Sequence, residues 1–408
     1  MKLDKEKLQV LSKTYGDAFY LLDTSQFRRN CQELLAAFRA IYPKFNIAYS
    51  YKTNYTPALV KIIDELGGFA EVVSDMEMEI ALRSGVRPEK IIFNGPYKNP
   101  SKVRELLLLG GTVNLDSVYE LDLVKDLAES YPDHRFNVGI RVNFAINDGV
   151  ISRFGFAVET QEFQEALALF KTYPNLHLAE MQLHYAARQL DTWRPRADGM
   201  LHLLDEYGLQ PDHVDLGGGL FGKMTDSLKK QFDTDIPTYE DYAEAAARPF
   251  VEHYASMPTD EQPELFIEPG SAVVGDCMFF VSRVIAIKSV RDKQIATLLG
   301  SVYNINPTLN KKNPPLEVFL TGTDKHRLYE DLDFGGFTCI ESDYVYRNYN
   351  GPLAVGDFVV FGNAGSYSIT LKPPFILPNF PVLDISGYEP KVIKRQEHFD
   401  DLFHTYAF

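Results

Sequence analysis

The stretch NIAYSYKTNYTPALVKIIDELGGFAEVVSDMEMEIALRSG, residues 46–85, decides the fold of this chain. It opens with a short apolar and aromatic run typical of a strand. It continues into a pattern with apolar residues at intervals of three and four, which indicates a helix, and then repeats both patterns. Because parallel strands need a crossover connection, this alternation predicts a parallel sheet covered by helices.

The same alternation continues to residue 268. Strand–helix alternation repeated eight times predicts a (β/α)8 barrel, which we assign to residues 25–275. A doubly wound open sheet is the alternative that the pattern also permits. The eight strand-like segments are NIAYSY (46–51), GFAEVV (68–73), KIIFN (90–94), GTVNL (111–115), FNVGIRVN (136–143), LAEMQLHY (178–185), HVDL (213–216) and ELFIE (264–268).

The pattern changes after residue 270, where strand-like runs follow one another with few helical segments between them. We therefore predict a C-terminal, mostly β domain over residues 276–408, with residues 1–24 contributing to it through the strand-like AFYLLD (18–23). The runs are MFFVSRVIAIKSV, KQIATLL, LEVFLTG, FTCIESDYVYR and DFVVFGNAGSYSITL.

Composition excludes several classes of protein. A chain of 408 residues is long enough for two domains, and its net charge of −15 argues against nucleic acid and anionic membrane as partners. Its three cysteines are far apart and odd in number, which favours a reducing cytoplasm over a disulfide framework. The charged N-terminal run MKLDKEKLQV does not resemble a signal peptide, and no stretch is apolar enough for a membrane span.

Polar residues cluster at the predicted strand ends. In a barrel, functional groups gather at the C-terminal ends of the strands, so we expect these residues to meet at one mouth. Each has an ordinary structural explanation when taken alone, such as a lysine at a strand end or a glycine turn. They are Lys52, Glu71 with Ser74, Asn94, Asp116, Arg141 with Asn143, His184, the run Gly217, Gly218 and Gly219, and Glu268.

Lys52 follows an apolar, aromatic strand that would withdraw it from water. Desolvation lowers the pKa of a lysine and increases the neutral amine needed to form an imine. The glycine run allows backbone N–H groups to approach a phosphate without side-chain interference.

The ordered motifs resemble those of the fold type III, pyridoxal 5′-phosphate (PLP) dependent decarboxylases that include the diaminopimelate, ornithine and arginine decarboxylases. The resemblance covers nearly the whole chain and implies an alanine-racemase-like barrel with a β domain. The motifs are YSYKTN, VSDMEMEIALRSG, IIFNGPYK, NLDSVYEL, IRVN, SRFGF, QLHY, VDLGGGLFG, IEPGSAVV, GFTCIESD and GNAGSYS.

The resemblance implies a role for each matching residue. Lys52 would hold PLP as a Schiff base, His184 would stack on its ring, and Glu268 would pair with the ring nitrogen. Cys339 would enter the site from the partner subunit as a proton donor, which implies a homodimer with shared sites. The expected cofactor-binding set is Lys52, Glu71, Arg141, His184, Gly217, Gly218, Gly219, Glu268, Gly270, Ser271 and Tyr367.

The carboxylate at the ring nitrogen favours decarboxylation. A protonated ring accepts the electrons released as CO₂ leaves, whereas the racemases of this fold place an arginine there. A racemase or epimerase is one alternative, and a non-catalytic homologue that acts as a binding protein is another.

Several positions depart from the family pattern. Ser271 replaces the arginine of E-P-G-R, and Ala186 and Ala187 replace the glycine and serine of H-[IV]-G-S, which removes two phosphate ligands. Glu71 replaces the usual aspartate.

Ile340 follows Cys339 where the family has the acid that receives the substrate's distal ammonium. If this segment is a strand, Glu341 points to its opposite face. The substrate-facing residues would be Ile340, Glu341 and Asp343, and the substrate would be an amino acid or conjugate without the usual distal amine, as in carboxylated polyamines, carrier-linked amino acids or citryl-type conjugates.

Overall fold

The computed structural model describes residues 3–146, 148–323 and 325–407; the outer limits of the predicted domains, residues 1 and 408, lie outside these ranges. The strands are β1 Ala18–Leu22, β2 Phe45–Ser50, β3 Phe69–Val72, β4 Ile91–Phe93, β5 Thr112–Leu115, β6 Phe136–Asn143, β7 Phe156–Ala157, β8 Leu176–Gln182, β9 His213–Asp215, β10 Glu264–Ile267, β11 Met278–Val290, β12 Lys293–Leu298, β13 Leu316–Phe319, β14 Arg327–Gly335, β15 Tyr344–Leu353, β16 Phe358–Phe361, β17 Val382–Asp384 and β18 Lys391–Lys394.

The helices follow the predicted alternation and are completed by short segments. They are α1 Lys5–Tyr15, α2 Thr24–Arg39, α3 Pro57–Glu65, α4 Asp75–Arg83, α5 Pro100–Leu108, α6 Leu121–Ser130, α7 Gln161–Thr172, α8 Trp193–Tyr207, α9 Asp226–Lys229, α10 Tyr239–His253, α11 Ser271–Val274, α12 Val302–Ile305 and α13 Phe399–Phe403. None of these described helices is long and apolar enough to cross a membrane.

The described chain divides into two compact units. The barrel unit comprises Arg28–Phe221 and Ile236–Ala272, and the sheet unit comprises the remaining described residues, including Gly222–Asp235.

The barrel unit contains a closed parallel barrel of β2, β3, β4, β5, β6, β8, β9 and β10. Closure is made by β10, which pairs with β2, and by β5, which pairs with β6. The predicted (β/α)8 barrel is therefore confirmed, and the open sheet is wrong. The short β7 pairs beside β6 and was not predicted.

Helix capping fixes the turn that follows β3. The side chain of Ser74 accepts a hydrogen bond from Glu77 N at 3.2 Å, and Glu77 Oε2 accepts one from Val73 N at 2.8 Å. These two bonds satisfy backbone donors at the start of α4. They hold the end of the strand that carries Glu71.

The sheet unit is built around β1 and β11, which pair antiparallel with Ala18 opposite Ser282. On its other side β1 pairs parallel with β17. The core of this unit includes the buried side chains of Leu8, Phe19 and Val281.

Three strand predictions in this unit are too long, and in LEVFLTG the strand ends at Phe319. In FTCIESDYVYR, the strand begins only at Tyr344, because residues 336–343 form a turn between β14 and β15. In DFVVFGNAGSYSITL, the strand ends at Phe361, because Asn363 and Tyr367 adopt φ of 56° and 64°. These left-handed conformations are incompatible with an extended strand.

Candidate functional site

Lys52 lies at the barrel mouth in the single turn Tyr51–Thr53 that follows β2. Its Nζ is 2.6 Å from Glu71 Oε2, and Ser50 Oγ donates to the same oxygen at 2.6 Å. The Lys52 side chain is 31% exposed and that of Glu71 only 1%. The Lys52 amine is therefore partly withdrawn from water and paired with a buried carboxylate; the lowered pKa expected for it stays a prediction.

Glu268 follows β10 and is a buried carboxylate with three donors around it. Its Oε1 accepts from Asn94 Nδ2 at 2.7 Å and from Gln182 Nε2 at 2.8 Å, and its Oε2 is 2.7 Å from His184 Nδ1. Burial acts to raise the pKa of Glu268, but the hydrogen bond from His184 and the nearby positive charges outweigh it and lower the pKa to about 2. Glu268 is therefore ionised at neutral pH.

His184, which follows β8, has two competing contacts at one nitrogen. Burial lowers the pKa of His184, and the Glu268 carboxylate offsets this only in part. A neutral ring that carries its proton on Nδ1 can donate to Glu268. The N–H of Gly218, 3.1 Å from the same Nδ1, then has no lone pair to bind there. His184 can satisfy Gly218 only if it releases Glu268.

Arg141 places a positive charge beside His184. Its Nη1 donates to Asp116 Oδ1 at 3.2 Å and its Nη2 to His184 O at 3.5 Å. The guanidinium lies 4.7 Å from the centre of the Phe154 ring. Arg141 is only 7% exposed, so solvent screens its positive charge weakly. The charge therefore acts on the neighbouring side chains of the site.

The run Gly217–Gly219 follows β9 and packs tightly against neighbouring loops. A Cβ on Gly218 would lie 2.7 Å from Glu268 O, and one on Gly219, where φ is +94°, would lie 2.5 Å from Ala187 O. Only glycine allows this approach, which leaves main-chain groups rather than side chains facing the mouth.

Gly270 and Ser271 lie just after β10, next to the turn that holds Lys52. A Cβ on Gly270 would collide with the Thr53 hydroxyl, and Ser271 begins α11. The structure thus brings together Lys52, Glu71, Arg141, His184, Gly217, Gly218, Gly219, Glu268, Gly270 and Ser271 in the barrel unit.

Cys339, Ile340 and Glu341 belong to the sheet unit, in the turn between β14 and β15, and not to a strand as the sequence suggested. Cys339 and Glu341 are exposed, and Ile340 is half-buried. Tyr367 is half-buried at a positive φ.

Asp343 is buried at the end of the same turn. Its Oδ1 accepts from Ser301 Oγ at 3.0 Å and from Val302 N at 2.8 Å, and its Oδ2 accepts from Thr338 Oγ1 at 2.6 Å. Both oxygens are thus engaged inside the sheet unit. The carboxylate caps α12 and shapes the turn.

The barrel has a buried polar interior, and its members Asn114, Glu180 and Asp215 were not predicted from the sequence. Asn114 Nδ2 donates to Asn94 Oδ1 at 2.7 Å and also to Glu180 Oε1. Burial, with the neighbouring carboxylates of Glu268 and Glu180, raises the pKa of Asp215 well above its usual value. The signal that could have found this interior is a polar residue in the middle of an otherwise apolar strand, such as Asn114 in β5.

Known proteins resemble this chain over most of its length. Residues 25–275 match the family described as "Pyridoxal-dependent decarboxylase, pyridoxal binding domain". The diaminopimelate decarboxylase of Methanocaldococcus jannaschii is 25% identical over 419 residues, which cover 96% of this chain and 91% of that protein.

Solved structures share the fold. That enzyme in complex with L-lysine has a TM-score of 0.84 at 22% identity, covering 98% of this chain and 94% of the other. The lysine decarboxylase of Selenomonas ruminantium has a TM-score of 0.77 at 20% identity and covers all of both chains.

Proposed function

We propose that this chain removes the α-carboxylate of an amino acid or amino-acid conjugate by means of Lys52 and Glu268. The proposal proceeds from the fact that the chain belongs to the pyridoxal-dependent decarboxylases. The observation that carries the proposal is the presence of a lysine amine and a buried, hydrogen-bonded carboxylate at one end of the same barrel. The cofactor of this family is PLP.

The residues at the mouth fit PLP. The cofactor needs an amine for its aldehyde, an anion for its ring nitrogen, a flat partner for its ring and N–H donors for its phosphate. Lys52, Glu268, His184 and the main-chain N–H of Gly219 match these needs, and a Cβ on Gly219 would collide with the loop that carries Ala187. When bound, PLP supplies the electron sink for the leaving carboxylate.

Side chains of the barrel would position the lysine amine and the cofactor ring. Glu71, 2.6 Å from Lys52 Nζ, holds the amine in place at the barrel mouth. Glu268 would hold a proton on the ring nitrogen through Oε2, while Asn94 and Gln182 continue to donate to its Oε1. For this, His184 must release Glu268 Oε2 and rotate its ring toward the cofactor.

Cys339 is the proposed proton donor to the substrate carbon. Its exposure in the described chain favours a role at a surface that a second subunit completes. We therefore propose a homodimer with shared sites, in which Gly270 and Tyr367 help to hold the phosphate.

The substrate is proposed to lack a simple distal ammonium in the usual position, because Ile340 replaces the receiving acid. Asp343 does not replace it, since both its oxygens bind donors of the sheet unit. A cavity of about 930 Å³ beside His184 offers room for a larger substituent. Its walls include Ile146, Asp148, Ser152, Arg153, Ala186 and Gln189.

A second candidate has one observation in its favour. Glu341 is exposed in a turn, so its side chain is not directed to the opposite face of a strand. It could receive a distal ammonium, as expected for a diaminopimelate or lysine decarboxylase. Wild type and Glu341→Gln should be compared on meso-diaminopimelate, lysine, ornithine and N-acylated or carboxylated analogues. Turnover of diaminopimelate that disappears in Glu341→Gln would establish this second candidate.

The cofactor chemistry is tested with Lys52→Ala. The purified protein should take up PLP at micromolar concentration and show a visible imine band, which Lys52→Ala abolishes. Lys61→Ala, which replaces an exposed lysine on α3, is the matched control and should retain the band. Wild type that takes up no PLP would contradict the proposal, and so would a full band in Lys52→Ala.

A further inference from the structure

Arg196 is a buried cation that the proposed chemistry does not use. It lies on α8 and is 0% exposed. Within the residues described, it forms no ion pair with a carboxylate. Its Nη1 donates to Gly218 O at 2.7 Å and to Leu216 O at 3.4 Å, and its Nη2 donates to Ala187 O at 2.7 Å and to Tyr185 O at 3.4 Å.

The surroundings hold this guanidinium in place. It lies 4.3 Å from the Trp193 ring, one helical turn earlier, and 5.7 Å from the Tyr185 ring. Burial lowers the pKa of Arg196 to about 10, so it remains charged at neutral pH. A buried charge without a carboxylate partner is costly and is retained only where its contacts compensate. Here those contacts are four main-chain carbonyls in two loops.

The two loops follow β8 and β9 and lie at the mouth that holds Lys52 and Glu268. In a trans peptide, the C=O and the following N–H point in opposite directions. Because Tyr185 O and Gly218 O face Arg196, the N–H groups of Ala186 and Gly219 face away from it. Among the described residues, neither N–H has a protein acceptor.

We propose that Arg196 is a positioning residue for the cofactor phosphate: by clamping both loops, it directs the N–H groups of Ala186 and Gly219 toward the phosphate. These main-chain donors take the place of the serine hydroxyl and the arginine guanidinium that Ala187 and Ser271 do not provide. The proposal rests on the use of PLP.

The test separates an effect on the phosphate from a general loss of structure. Apo forms of wild type, Arg196→Met and Arg196→Lys are titrated with PLP and, separately, with pyridoxal, which has no phosphate. Binding is followed by the visible band and by the fluorescence of Trp193, the single tryptophan of the chain. Arg194→Met is the matched control, because Arg194 lies on the same helix with its side chain 56% exposed.

Arg196→Met should raise the Kd of PLP about 10- to 100-fold, the loss expected for one or two charge-assisted hydrogen bonds. The Kd of pyridoxal should change less than about twofold, and Arg194→Met should match wild type for both ligands. Arg196→Lys should show a smaller, equally selective loss, since an ammonium cannot bond four carbonyls in two loops. If Arg196→Met does not fold, the ratio of PLP to pyridoxal affinity in Arg196→Lys tests the positioning role.

Equal losses for PLP and pyridoxal, or no loss for PLP, would overturn the positioning role. Failure of the wild type to bind either ligand would instead contradict the proposed function.

Discussion

Glu268→Gln is the substitution that most directly tests the proposed electron sink. The amide oxygen can keep the hydrogen bonds from Asn94 and Gln182, now 2.7 and 2.8 Å long, and the amide N–H₂ would face His184. His184 can respond by moving its proton to Nε2, so the fold should survive. The variant loses the charge-assisted hydrogen bond proposed between Glu268 and the ring nitrogen. Such a bond contributes about 1.5–3 kcal/mol.

If that contact acts only in the transition state, kcat should fall roughly 10- to 150-fold, at about 1.4 kcal/mol for each factor of ten. The assay is CO₂ release at saturating PLP, with the best substrate from the panel. Glu264→Gln is the control, because Glu264 begins the same strand β10 and its side chain is 30% exposed. A PLP-loaded Glu268→Gln protein with a kcat within twofold of wild type would refute the role of Glu268.

Three further predictions concern stability and the proton donor. Burial raises the pKa of Glu77 to about 7 against 4.5 for the free group, so stability falls as pH rises from about 4.5 to 7. Glu77→Gln should therefore increase the free energy of urea unfolding at pH 8 by up to about 3 kcal/mol and much less at pH 4; equal gains would contradict this. Cys339→Ala should lower kcat at least about tenfold and alter product protonation, while unfolding changes by less than about 0.5 kcal/mol; unchanged rate and product would remove Cys339 from the mechanism. Asp343→Asn should cost about 1–3 kcal/mol of unfolding free energy by placing an amide N–H against donors such as Thr338, and an unchanged urea midpoint would exclude that capping role.

The barrel could be predicted because its signal is local and repeated. Each strand is a short apolar run, and each helix has its own amphipathic period. The strand ends could be predicted as a group for the same reason, since parallel strands bring their carboxyl ends to one edge. Lys52, His184 and Glu268 could therefore be expected at one mouth from the sequence alone.

The errors lie where local composition and tertiary contacts disagree. The segment 337–347 is rich in residues that favour strands, but the bonds to Asp343 fold its first half into a turn. Asn363 and Tyr367 adopt a positive φ without being glycine, so the sequence gives no signal that the strand ends there. Arg196 stands at a helical spacing from Trp193 that is typical of a buried face, and only the structure shows that its guanidinium reaches main-chain carbonyls.

The proposed chemistry and the proposed specificity depend on different kinds of structure. Lys52 and Glu268 follow neighbouring paired strands, β2 and β10, so a change in register would displace both. Ile340 and Glu341 lie in a turn, where a single substitution changes the side chain presented without disturbing a strand ladder. Divergence from the family at Ile340 is therefore compatible with unchanged bond-breaking chemistry. It follows that Ile340→Glu should change the preferred substrate toward one with a distal ammonium, while the visible PLP band and its dependence on Lys52 remain as in wild type.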